Sequence, residues 1–137
     1  MWIPSVVAIF LMSIKSPALA QRTSHSRDLS CADLQAAAAT GEVVEFRGQV
    51  ESDGIERTAI IPVGCRSLFL QFDIPASISK KAWSRDLDNA IYSGHPGTVD
   101  KEISADFTGH ISLHTSLGTG TLHISHIAHV QVIKKLR

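Results

Sequence analysis

The alternation of apolar and polar side chains constrains the fold of this chain more than any other feature. From Val44 to Val50 every second residue is apolar or glycine, and the residues between them are Glu45, Arg47 and Gln49. A period of two places the apolar side chains on one face of a β-strand. Four later segments repeat this pattern, so the sequence predicts five strands at 44–50, 58–63, 68–72, 103–114 and 121–133.

Two segments carry the helical period instead. Ser30 and Asp33 have the spacing of a shortened capping box, and Gly41 follows an alanine-rich stretch at the position of a helix end. From Ile78 to Tyr92, apolar residues recur at intervals of three and four and form one stripe, which comprises Trp83, Leu87, Ala90 and Ile91. The predicted order is therefore helix, three strands, helix, two strands.

This order of three strands, a helix and a closing hairpin resembles the OB-fold, a five-stranded partly open barrel. Gly48 in V-V-E-F-R-G-Q-V and Gly109 in F-T-G-H-I lie where strongly coiled strands bend. In the last strand, G-T-L-H-I-S-H-I-A-H-V, the apolar spacing slips from two to three at a predicted bulge. The segment 42–133 resembles small exported bacterial OB-like domains in fold pattern. The resemblance implies a mainly β, five-stranded OB-like barrel with a short N-terminal helix and one helix between strands 3 and 4, and the alternative is a small open sheet with one helix packed on it.

The first twenty residues have the pattern of a cleavable signal peptide. An apolar run from Ile3 to Ile14 precedes Ala18-Leu19-Ala20, which has small residues at the positions that a signal peptidase reads. The run is shorter than the roughly 20 residues that cross a bilayer, and an uncleaved membrane anchor is the alternative. We expect an exported protein, periplasmic or secreted, in which residues 21–28 form a polar leader and residues 29–137 form one domain without stable membrane insertion.

Cys31 and Cys65 are the two cysteines of the chain. In an oxidising compartment, a single distant pair is most simply explained as a disulfide. Two buried thiols, or a metal-binding or catalytic thiol, are the alternatives, although the chain lacks a C-x-x-C motif. We predict the Cys31–Cys65 bridge.

The charge balance excludes some partner classes. Lysine and arginine together number 13, as do aspartate and glutamate. A nucleic-acid-binding domain normally has a basic surplus or a basic stripe, so we expect no nucleic-acid partner. The same balance argues against electrostatic docking on an anionic membrane.

Histidines are concentrated near the C-terminus, where five of the seven lie between positions 110 and 129. If strands 4 and 5 form a hairpin in which Leu113 pairs with Leu122, alternation turns His110, His114 and His123 outward onto one patch. Three imidazoles can hold a divalent metal such as zinc or copper. A pH-responsive surface is a second interpretation, because histidine changes charge near neutral pH. The plainest interpretation is a set of solvated side chains, and the facing of His126 and His129 beyond the predicted bulge stays undetermined.

The OB resemblance also implies a ligand face across strands 2 and 3 and the loops after strands 1 and 4. Those loops are 52–56 and 115–120, and the candidate contact residues are Phe69 and Gln71 beside Arg66. The sequence has no G-x-S-x-G elbow, calcium-loop spacing or phosphate-binding loop. We therefore expect no enzyme and no cofactor, but an exported binding or accessory domain that recognises a protein, peptide or envelope glycan. The alternative is a periplasmic metal-binding or pH-responsive protein that uses the histidine patch.

Overall fold

A computed structural model describes residues 28–73, 81–114 and 118–135 of the chain. The predicted signal peptide, residues 21–27 of the predicted leader and the start of the predicted second helix lie outside these ranges. Within them the elements are α1 (Cys31–Thr40), β1 (Val44–Ser52), β2 (Thr58–Pro62), β3 (Phe69–Asp73), α2 (Ala82–Tyr92), β4 (Lys101–Leu113) and β5 (Thr119–Lys134). Neither described helix has the length and apolar content that would let it cross a membrane.

The five strands form a closed barrel in the order β1-β2-β3-β5-β4, because β1 also pairs with β4. β3 and β5 run parallel, while every other neighbouring pair is antiparallel. A helix stands between β3 and β4, and another precedes the barrel. The prediction of a mainly β, OB-like barrel is confirmed.

The barrel interior is filled by the apolar residues that alternate along each strand. Phe46 of β1 and Phe107 of β4 are fully buried, with ring centroids 6.1 Å apart. Gly48 of β1 allows close packing here, because an added Cβ would come within 2.6 Å of the Ile60 side chain and 3.2 Å of the Phe107 ring. Burial of each large apolar side chain stabilises the fold by about 1.5–3 kcal/mol. The strand period read from the sequence therefore corresponds to the real core.

Helix α1 is capped, packs one side against the barrel and is covalently tied to it. Ser30 Oγ accepts from the Asp33 N–H at 3.1 Å, and Asp33 Oδ2 accepts from the Ser30 N–H at 3.1 Å, so the predicted capping box is present. Leu34 is fully buried. Cys31 and Cys65 form a disulfide with their Cα atoms 4.8 Å apart and 34 residues apart in sequence. The predicted bridge is confirmed, and closing such a loop stabilises by about 3–4 kcal/mol on the chain-entropy model.

Helix α2 buries the predicted stripe against the barrel. Leu87, Ala90 and Ile91 are buried, and Trp83 packs partly buried at the edge of the core. The end of the helix is held by Lys101, whose Nζ donates to the carbonyl oxygens of Ile91 and Ser93 at 3.2 and 2.9 Å. A cation at a helix C-terminus satisfies the last carbonyl groups and complements the helix dipole.

The β4–β5 pairing corrects the predicted register. Leu122 pairs with Ile111 rather than with Leu113, which instead opposes Gly120 and is 42% exposed at the barrel end. The prediction was wrong because β5 begins at Thr119, two residues earlier than the alternation indicated. His123 consequently lies directly opposite His110, and not diagonally from it.

Strand β5 bends through two register irregularities. The pairing with β4 shifts between Thr108 and Gly109 and again between Ser104 and Asp106. The first shift confirms the bulge predicted from the slip of apolar spacing after Ile124. At the second, His129 adopts a φ of 54°, a left-handed conformation that is uncommon for a residue other than glycine.

Candidate functional site

A groove of about 1060 Å³ lies on the outer surface of the barrel, where the β1–β2 loop meets β2, β3 and the start of β5. Phe69 and Gln71, two outward residues of β3, line it. Glu51, Asp53 and Glu56 line it from the end of β1 and the following loop. The groove thus combines an aromatic ring, an amide and three carboxylates.

The β1–β2 loop is shaped by one carboxylate. Asp53 Oδ1 accepts from the backbone N–H groups of Ile55, Glu56 and Arg57 at 2.8, 3.0 and 3.0 Å. These backbone hydrogen bonds hold the pKa of Asp53 below its ordinary value, because they stabilise the ionised form. The loop therefore carries a fixed negative charge beside the groove.

The loop is also held from behind by the chain that follows α2. The Ser52 N–H donates to Thr98 Oγ1 at 3.0 Å, and the Thr98 N–H donates to the Ser52 carbonyl oxygen at 3.0 Å. Gly54 (φ 78°) and Gly97 (φ 89°) let the two backbones meet, since a Cβ on either would come within 2.8 Å of the facing chain. This wall of the groove is consequently positioned by contacts within the chain itself.

The three predicted ligand-face residues divide between two places. Phe69 is 47% exposed in the groove, and Gln71 lies two residues further along on the same face of β3. Arg66 is not among the groove residues; its Nη1 donates to Gln49 Oε1 at 3.3 Å over the outer side of β1. The structure thus brings Phe69 and Gln71 together with the acidic loop and sets Arg66 apart.

The polar groups of the groove are mostly not engaged with one another. Within the described parts of the chain, the side chains of Glu51, Glu56 and Gln71 make no hydrogen bond or ion pair, and Glu51 and Glu56 are exposed. Arg57 is the cationic side chain in this lining. The carboxylates of Glu51 and Glu56 and the amide of Gln71 therefore remain accessible as hydrogen-bonding groups in the groove.

The predicted histidine trio does not form one cluster. The rings of His110 and His123 stack with centroids 4.5 Å apart and an interplanar angle of 15°. His123 Nε2 lies 3.1 Å from Ser112 Oγ, whereas His114 Nε2 lies 3.0 Å from Thr121 Oγ1 at the end of the groove. Over the described residues, no group of three or more His, Cys, Asp or Glu side chains has a metal-binding arrangement. His110 and His123 are paired, and His114 belongs to the groove.

The remaining two histidines of the segment have structural partners. His126 packs edge-on against Trp83, with centroids 5.5 Å apart. His129 Nδ1 lies 2.7 Å from Asp106 Oδ2, while Arg47 Nη1 donates to Asp106 Oδ1 at 2.8 Å. Sequence reasoning missed this cluster, although alternation does turn Arg47 and Asp106 to the same outer surface. Their direct pairing across β1 and β4 depends on the strand register.

Comparison of the chain with protein-family models, with curated proteins and with solved structures found no match. The term OB-like therefore refers here to strand order, pairing and helix placement.

Proposed function

We propose that this protein is an exported, non-catalytic binding domain that holds a protein, peptide or envelope glycan in its outer groove. The observation that carries the proposal is the exposed ring of Phe69, which lies beside Gln71 and the two unengaged carboxylates of Glu51 and Glu56. Ligand sites typically combine apolar contact surface with a few positioned polar groups.

The rigidity of the groove wall supports binding. Two hydrogen bonds between Ser52 and Thr98 fix the loop from outside. Within the loop, the Asp53 carboxylate accepts from three backbone N–H groups. A wall that is already ordered loses little conformational entropy when a ligand binds. We infer that the groove is preorganised for its ligand.

Export is supported by the disulfide, because such bonds persist in oxidising compartments, and by the signal-like residues 1–20. Mass spectrometry of protein recovered from the envelope fraction tests it. We expect a chain that begins at Gln21 and is two hydrogen atoms lighter than its reduced form. A mature species that begins at Met1, or one alkylated at both cysteines without reduction, would contradict export.

A groove-filling variant tests binding. Ala59 lines the groove on β2, so Ala59→Trp should block it, whereas Glu45→Trp adds the same ring at an exposed position on β1. Envelope extract is passed over the immobilised wild-type domain and both variants, after circular dichroism confirms that each is folded. We expect species that are retained by wild type and Glu45→Trp and lost with Ala59→Trp. Identical retention by all three proteins would refute the groove as the binding site.

The stacked rings of His110 and His123 favour a second candidate, a metal-binding or pH-responsive surface. Two neighbouring imidazoles can ligate zinc or copper, and two imidazolium charges in contact repel each other. Metal at about 100 times its dissociation constant would raise the unfolding free energy by about 2.7 kcal/mol. If neither zinc nor copper changes the melting temperature, the metal alternative is removed. If His110→Ala has the same melting temperature as wild type at both pH 5.5 and pH 7.5, the pH alternative is removed.

A further inference from the structure

We propose that the occupant of the groove is an extended, basic segment of a partner protein. This inference rests on the proposed function and narrows its ligand to one class. It is carried by the charge of the groove, by its size and by the closure of the barrel.

The charge of the groove favours a cation. Three carboxylates line it, on Glu51, Asp53 and Glu56, against the single guanidinium of Arg57 within the described lining. The Asp53 charge persists because its backbone hydrogen bonds hold its pKa below the ordinary value. Lysine or arginine side chains would gain charge-assisted hydrogen bonds to Glu51 and Glu56, whereas a phosphorylated or otherwise anionic ligand would be repelled.

The size and surface of the groove favour a segment of several residues. Its volume of about 1060 Å³ lies slightly above the roughly 300–1,000 Å³ typical of small-molecule pockets. Phe69 offers an apolar surface at one side, and the acidic loop stands at the other. A chain in which an apolar side chain is close to basic ones would contact both regions at once.

The closed barrel determines how such a segment can bind. Around the groove the described strands are already paired, β3 with β5 along Phe69–Asp73 and β2 with β1 along Thr58–Pro62. Strand addition at this site would have to separate β2 from β3, which meet at Ile60 and Leu70. Recognition through side chains is therefore favoured, and the charge pattern of the partner becomes its main specificity determinant.

The experiment uses an array of immobilised decapeptides in three groups, containing Lys/Arg, Asp/Glu or only uncharged residues, at matched hydrophobicity. The labelled probe is the exported, disulfide-bonded domain. We expect retention on the basic group, with at least about a tenfold loss when the salt concentration rises from 0.05 to 0.5 M, because exposed charges are screened at high ionic strength.

Charge-reversal variants locate the interaction. Glu51→Lys combined with Glu56→Lys should reduce retention on the basic peptides by about tenfold or more. Glu45→Lys combined with Glu102→Lys reverses the same number of exposed carboxylates outside the groove and should retain more than half of the signal. Equal losses in both double variants would overturn the proposal, since the attraction would then come from overall charge.

The remaining outcomes separate this inference from the broader proposal. Preference for uncharged peptides, or for an envelope oligosaccharide spotted on the same array, overturns the basic segment but retains groove binding if Ala59→Trp abolishes it. Residues 21–27 contain Arg22 and Arg27. If peptide binding rises only after these residues are deleted, the occupant of the groove is this chain's own leader, and the partner segment is overturned. Absence of retention on every spot overturns both.

Discussion

Two outer surfaces of the same barrel use their polar residues in opposite ways. On the surface shared by β1, β4 and β5, Arg47 donates to Asp106, Ser104 and Gln131, and His129 approaches the second oxygen of Asp106. We call this set the ionic cluster. In the groove, Glu51, Glu56 and Gln71 make no such contacts within the described residues.

The difference separates polar groups that stabilise the fold from polar groups that are available to the proposed ligand. Asp106 is 11% exposed in its side chain and is engaged at both oxygens, so its charge serves to hold three strands in register. The carboxylates of Glu51 and Glu56, by contrast, make no hydrogen bond or ion pair within the described residues, and both side chains are exposed in the groove. Stability and binding should therefore respond to substitutions at different sites.

The largest expected effect is on stability and comes from the ionic cluster. Asp106→Ala removes the shared partner of Arg47 and His129 and should lower the unfolding free energy by about 2–3 kcal/mol. Chemical denaturation measures this change, and ligand retention should be unaffected. Asp86→Ala, which removes an exposed carboxylate on α2, is the control and should change stability by less than about 0.5 kcal/mol. Equal effects of both substitutions would show that the cluster is not stabilising.

Phe69→Ala should affect binding and leave the fold largely intact. Loss of the exposed ring should weaken ligand binding about tenfold, because aromatic anchors commonly contribute most of an interface. Tyr92→Ala is a matched control, since Tyr92 is 49% exposed and Phe69 is 47% exposed. Isothermal titration with the retained ligand measures both variants. If binding weakens equally in both, the distinction between the groove and the rest of the surface fails.

Thr98→Val should reduce both the stability of the domain and its affinity for the ligand, each modestly. The substitution removes the acceptor of the Ser52 N–H while it conserves shape, which should cost about 1–2 kcal/mol of stability. Ligand affinity should fall a few-fold because the groove wall loosens. Thr108→Val, at a half-buried outer position on β4, should leave affinity unchanged. A Thr98→Val domain with native affinity would indicate that the backbone hydrogen bond from residue 98 to Ser52 and the Asp53 contacts are enough to hold the wall.

The smallest effect concerns pH. Because the pKa of Asp53 is lower in the folded state than its ordinary value of 3.8, its contribution is complete above that value and is lost as the pH falls through the folded-state pKa. The protection of the Ile55 and Glu56 amides against hydrogen exchange, measured relative to the intrinsic rate at each pH, should therefore fall only below pH 3.8. Asp53→Asn should lack this acid transition. A loss of protection in wild type that begins at a higher pH would assign the change to another group.

Periodicity was sufficient to predict the barrel but not the contacts on its surface. The alternation in β1 and β4 marks the buried residues Phe46 and Phe107, and the slip after Ile124 locates a bulge. Alternation determines which face a side chain occupies but not which residue it opposes, so a two-residue shift of β5 places His123 against His110. The Ser52–Thr98 contact and the Asp106–His129 contact join residues distant in sequence, and no local pattern marks them.

The Cys31–Cys65 bridge determines which part of the protein should unfold first under reducing conditions. The bridge starts at the first residue of α1, so a single covalent link attaches that helix to the corner between β2 and β3. A mild reductant should therefore release the helix first and expose the pocket that Leu34 fills, while the strand ladder persists. Under reducing conditions the protein would then behave as two parts, a loosely held helix α1 and a barrel that stays folded.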